Sequence, residues 1–291
     1  MITLQSGSYR LTVAPEYGAT ILSAEWLGRD EWKPVLEPLA SPENGLKAGC
    51  FVMAPFANRI DHGHFFFDGK SFQLPINNIP EDMAIHGFAR NHVWKVTEQA
   101  ADHVLLVLDL NEPSLPWQFT LVQQISIAAD GIKVALHITN LGDAPMPFGF
   151  GLHPWFPKPA ETYLSFASDG AHTRDARGLP LPDLHPVQGM SENDQKALDG
   201  LPWFDACIGG WNPRKAVLRW PEYEVALSAS GALRHLHVYN PDDRPVVCAE
   251  PVSHLPDVIN RPELGEDAQM TVLAPGETLS GKMHLAARPI G

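Results

Sequence analysis

Five short segments of the sequence set an ionisable residue among rigid or small neighbours: "APFANRI" with Asn58 and Arg59, "AIHGFARNHVW" with His86 and Arg90, "GLHPWF" with His153 and Trp155, "WFDACIGGW" with Asp205, and "CAEPVSHLPD" with Glu250. A carboxylate and an imidazole are the usual pair for proton transfer near neutrality, which is worth on the order of a hundred- to ten-thousand-fold in rate. An arginine fork and a second carboxylate are the donors and acceptors that suit vicinal hydroxyls. The segments span most of the chain, as expected when strand ends and loops distant in sequence build one concave pocket.

Each residue also has a plainer reading. Glu250 follows the apolar run "PVVCA" and precedes a proline, which lacks an N–H to continue a ladder. Read alone, it is either a strand-end glutamate, solvated or paired with an arginine, or a general base on a pocket floor. His153 is either a hydrogen-bonded core histidine or a proton donor beside glycines and aromatics that suit a sugar-binding wall. Trp203 and Trp211 flank Asp205 and point the same way. His86 precedes Gly87, which permits close backbone approach or an unusual dihedral. Two His-x-His pairs, His62/His64 and His235/His237, each place two imidazoles on one face of a strand, yet neither has a third metal ligand at convincing spacing. No metal site is expected.

The elements that hold these residues are expected to be strands. The 27 prolines and 23 glycines are spread throughout and leave little room for long helices. "GHFFFDGKSFQL" and "LVQQISIAADGIKVALHITN" read as antiparallel hairpins turning at Asp68-Gly69 and Asp130-Gly131. Further alternating runs occur at "HVLLVLDL", "AVLRW", "EVALSAS", "LRHLHVYN" and "RPVVCAE". The reading is all-β, a large antiparallel β-sandwich, with residues 1–291 as one domain. A polar, proline-rich stretch from roughly Pro157 to Gly200 breaks the rhythm and reads as a functional or mobile loop.

Composition narrows the partners. The chain is 44% hydrophobic and 19% charged, a globular balance, and its formal net charge of −13 repels nucleic acid and acidic membrane surfaces. No signal-peptide pattern opens the sequence and no run of about 18 apolar residues could span a bilayer, so a cytoplasmic location is expected. The three cysteines, Cys50, Cys207 and Cys248, form no CxxC pair and read as free buried thiols.

In order and spacing, "YGATILSAEW", "APFANRIDHGHFFFDGKSFQL", "AIHGF", "PMPFGFGLHPWF", "FDACIGGW" and "CAEPVSHLPDVIN" resemble the aldose 1-epimerase (galactose mutarotase) family over nearly the whole chain. The resemblance implies a galactose mutarotase-like supersandwich with an open carbohydrate cleft, no metal and no organic cofactor. It implies Glu250 as general base, His153 as general acid, His86 as a second histidine near the ring oxygen, and Arg59 and Asp205 as sugar-binding residues. Asn58 and Trp155 join them as expected substrate contacts. The partner would be a monosaccharide, and the protein a monomer or homodimer. The compact "HGFARNHVW" also resembles the hexose-6-phosphate epimerase branch, which makes Arg90 a candidate phosphate contact; "APFANRI" and "FDACIGGW" resemble the free-sugar branch more closely, so interconversion of the anomers of a free aldose is expected, with the phosphorylated reaction and a non-catalytic carbohydrate-binding or sensor protein as the alternatives.

Overall fold

The computed structural model of the protein describes residues 1–290. Two large sheets dominate, of eleven and eight strands, and every ladder between strands is antiparallel. The only helical elements among the described residues are 3₁₀ turns of three residues, as the spread of prolines and glycines predicts.

The eight-stranded sheet runs Lys95–Gln99, His103–Asn111, Gln118–Ala128, Gly131–Asn140, Thr278–Pro289, Tyr223–Gly231, Lys215–Arg219 and Tyr163–Phe166. Its strands alternate as the sequence does: Val104, Leu106, Leu108 and Leu110 face the core, and so do Phe119, Leu121, Ile125 and Ile127. Gln123 breaks this pattern, since it is fully buried on the same face and neither amide atom has a protein partner. An unpaired buried amide costs about 1–3 kcal/mol. Gln123→Met is therefore expected to raise unfolding stability by about that amount, measured by denaturant titration.

The eleven-stranded sheet builds the cleft. Its middle is ordered Cys50–Met53, Gly151–Pro157, Val246–Val252, His235–Asn240 and Phe204–Gly209. Both faces of these strands are covered, so they read as buried runs, and the period of two decides which face each residue takes. Val52, Leu152, Phe156, Val247, Ala249, Leu236 and Val238 enter the core shared with the eight-stranded sheet. Phe51, His153, Trp155, Cys248, Glu250, His237, Tyr239 and Asp205 take the other parity and share the opposite face.

Three local expectations change. The strand carrying Glu250 does not stop at Pro251 but continues through Val252, which pairs with Gly151. The second hairpin turns at Ala129-Asp130; Gly131 is already paired, with φ 136°, where an added Cβ would lie 2.2 Å from the Leu285 carbonyl oxygen. The Pro157–Gly200 stretch is no long loop. It holds Tyr163–Phe166 in one large sheet, Gly170–Arg174 and Pro180–His185 in the other, and a small hairpin of Met190–Ser191 with Asp194–Gln195. The Asp68-Gly69 turn stands as read, with φ of 47° and 73°.

Candidate functional site

On the face opposite the core lies a cleft of about 360 Å³, within the range of small-molecule sites. Its floor comes from adjacent strands of the large sheet: His153, Glu250, His237 and Asp205, in that lateral order. One wall comes from the short pair Arg59–Asp61 and Met83–Ile85, with Asn58 and His86 at its ends. His86 and Gly87 have φ of 61° and 62°, and a Cβ on Gly87 would lie 2.0 Å from the Ala54 carbonyl oxygen. Only glycine permits that approach, which brings the His86 loop against the Ala54 backbone.

His153 Nε2 lies 3.2 Å from Glu250 Oε1, and both side chains are buried. Glu250 is thus neither solvated nor held by an arginine; its neighbour is a histidine. The His153 ring is stacked between Phe51, at 4.6 Å, and Trp155, at 5.0 Å, and meets His86 edge-on at 5.2 Å. Burial, then the charge of Asp205, pushes the Glu250 carboxyl well above the usual carboxylate range, while burial pulls His153 down to about 3. These directions describe a pair holding one proton with both partners neutral, the reverse of an ionised carboxylate beside an imidazolium. Two π faces favour the cation by about 0.5–2 kcal/mol and so reduce the cost of moving that proton to His153. Burial, with His153 and Arg90 nearby, keeps His86 neutral.

Asp205 is the charged centre. It accepts from His237 Nε2 at 2.6 Å and faces Arg174 at 3.3 Å and Arg59 at 3.6 Å. Burial alone would raise its carboxyl; the His237 hydrogen bond and the two guanidiniums outweigh that and hold it below the usual range. Arg59 also donates to Glu81 at 2.8 Å and to Asn58 Oδ1 at 3.1 Å, which fixes its fork at the rim.

Seven of the eight expected residues converge: Asn58, Arg59, His86, His153, Trp155, Asp205 and Glu250 all line the cleft. Arg90 does not; its guanidinium lies over Phe51, 5.3 Å from the ring centroid. Of the two tryptophans beside Asp205, Trp203 lines the cleft under the Arg174 guanidinium, whereas Trp211 is a core residue donating to the Lys215 carbonyl. Sequence reasoning missed Arg174 and the role of His237. His237 was visible only as half of a His-x-His pair, since the register that sets it beside Glu250 comes from pairing across strands. Arg174 had no signal, lying in the stretch read as a loop.

In the other His-x-His pair, His62 contacts Asp82 and His64 contacts Ser71, and both line a separate surface hollow. All three cysteines are free and buried. A larger hollow of about 670 Å³ beside Trp26, Lys33, Glu222 and Tyr223 contains no unpaired buried side-chain atom. The smaller cleft contains four: His86 Nδ1, His153 Nδ1, Trp155 Nε1 and Glu250 Oε2. Buried polar atoms are normally satisfied, so such a cluster marks a place for a polar ligand.

The chain is thus a large antiparallel sandwich with a buried His153–Glu250 pair and an arginine-flanked Asp205 on the cleft face of its eleven-stranded sheet. The sequence model described as aldose 1-epimerase matches residues 1–286, and the chain belongs to that family. The uncharacterised Escherichia coli (strain K12) protein YphB is 27% identical over 291 residues, 97% of each chain. A crystal structure of a candidate aldose 1-epimerase from Escherichia coli K12 has 26% identity and a TM-score of 0.86, covering 99% of this chain and 98% of that one. A galactose mutarotase-like protein from Clostridium acetobutylicum has the same fold, with 20% identity and a TM-score of 0.85, covering 99% and 95%. No helix among the described residues is long and apolar enough to cross a membrane.

Proposed function

We propose that the protein is a mutarotase that interconverts the α and β anomers of a free aldose of the glucose or galactose type. The observation that carries the reading is the Glu250–His153 pair, 3.2 Å apart on a cleft floor with four unpaired buried polar atoms around it. With the shared proton on His153, Glu250 removes the proton of the anomeric hydroxyl while His153 protonates the ring oxygen. The C1–ring-oxygen bond breaks and the open-chain aldehyde forms. Rotation about C1–C2 presents the other carbonyl face. On reclosure the ring-oxygen hydroxyl returns its proton to His153 and Glu250 gives its proton to the new anomeric oxygen. The pair ends as it began, which is required of a catalyst whose substrate and product differ at one centre.

The remaining residues divide between orientation and recognition. The His86 ring, edge-on to His153, remains neutral and offers Nδ1 near the ring oxygen. Trp155 supplies an indole N–H and a stacking face. Asp205 and Arg59 take vicinal hydroxyls, with Asn58 keeping the arginine in place.

The pKa directions predict a broad pH–rate plateau. Activity requires the pair to hold one proton. The doubly protonated state forms only as pH falls through the lowered His153 value, and the proton-free state only as pH rises through the raised Glu250 value. Polarimetric kcat/KM is expected to fall on the acid side below the ordinary histidine value of about 6.5; an acid limb centred at or above it would contradict the assignment. Substrate class is tested by comparing anomer exchange in glucose, galactose and glucose 6-phosphate at equal concentration. Faster exchange in the free sugars is expected. Exchange confined to the phosphate ester would move the protein to the phosphorylated branch.

A further inference from the structure

We infer that the cleft floor is also a binding site for a thiophilic divalent cation such as Zn²⁺, formed by His153, Cys248 and Glu250, and that its occupation switches the acid–base pair off. One ligand atom from each of the three residues lies within 4.8 Å of the others, and all three residues are buried. The strands explain the convergence. Cys248 and Glu250 are two apart on Val246–Val252 and share a face, and His153 lies on the neighbouring strand with Nε2 turned to Glu250.

An imidazole, a thiolate and a carboxylate are all zinc donors, and three protein ligands with one open position is the composition that zinc adopts where its fourth site stays open to water or substrate. Donor atoms around zinc stand roughly 3.5 Å apart, so the cluster needs only a small contraction by side-chain rotation. The open position would face the cleft, because His153 and Glu250 line it. An independent sign is Glu250 Oε2, which is buried with no partner in a side chain only 2% exposed. Charge balances as well. The ion displaces the Cys248 thiol proton and the proton shared by His153 and Glu250, leaving a dication against a thiolate and a carboxylate. Binding then consumes both groups on which ring opening depends.

Cobalt titration of the full chain tests this. Co²⁺ is expected to bind with a thiolate-to-cobalt charge-transfer absorption that Zn²⁺ abolishes by competition. Cys248→Ala and Cys248→Ser should both lose that absorption. Either variant that remains folded should keep anomer exchange within about twofold of the parent while losing its sensitivity to Zn²⁺. Cobalt binding without the charge-transfer band would assign the metal to other ligands such as the surface histidines, and an unchanged band in both Cys248 variants would assign it to Cys50 or Cys207; either result overturns the site. The spectrum is read without sugar, so a failure of the mutarotase reading leaves this test standing.

Discussion

Glu250→Gln is expected to lower kcat/KM for anomer exchange by about 10²–10⁴-fold while leaving the fold and sugar affinity in place. The amide occupies the carboxyl's volume but cannot take a proton from the anomeric hydroxyl. The same variant should be more stable than the parent at neutral pH. A group whose folded pKa is raised contributes stability below its unfolded value, and that contribution is lost as pH rises toward the folded value. Glu250 is such a group, so at pH 7 the native protein bears the cost of keeping its carboxyl buried, and glutamine removes it. Denaturant midpoints across pH 4–8 measure the difference; a variant no more stable at pH 7 than at pH 4, relative to the parent, would contradict the buried neutral carboxyl. His153→Asn should lose rate similarly. The double variant should fall far short of the product of the two losses, because acid and base act as a unit.

Asp205→Asn carries the second large effect, on stability as well as recognition. Removing one partner of a buried ion pair costs 3–5 kcal/mol when the other charge is stranded. Here Arg59 retains Glu81 and Arg174 is a quarter exposed over Trp203, so the expected loss is near the lower end, about 3 kcal/mol. The Asp205 pKa is depressed, so its contribution is complete above the unfolded value of about 3.9 and fades as pH falls toward the folded one. The gap between parent and variant should therefore be full at pH 7 and close in acid. Loss of the acceptor for sugar hydroxyls should also raise KM at least tenfold, with kcat changing less because Asp205 takes no part in proton transfer. A drop in kcat at unchanged KM would place Asp205 in the chemistry instead.

The strands were legible wherever one face alternates with solvent, as in His103–Asn111 and Gln118–Ala128. The central strands were legible as apolar runs, but not in which face each side chain takes. Only the rare polar residues at one parity, His153, Asp205, His237 and Glu250, record that a second buried face exists. The register that lays His237 beside Glu250 depends on pairing across strands and leaves no local trace, so His237 was weighed only as half of a metal pair that lacks a third ligand. The proton state of Glu250 was hidden for the same reason: exposure sets it, and proximity to Pro251 suggested a strand end where the ladder in fact continues. Arg174 was missed because proline-rich composition concealed the pairing of Gly170–Arg174 with Pro180–His185 at the sheet edge. Arg90, singled out by the resemblance to the phosphorylated branch, lies over Phe51 and is not among the residues that line the cleft.

The central claim is that the Glu250–His153 pair opens and recloses an aldose ring. Saturation-transfer NMR on purified protein in glucose and galactose, with Glu250→Gln at equal concentration beside it, tests that most directly. Catalysed magnetisation transfer between the two anomeric protons in the parent, absent in the variant, is the predicted result. Equal transfer in both proteins, or none above the uncatalysed rate in either sugar, would contradict the account.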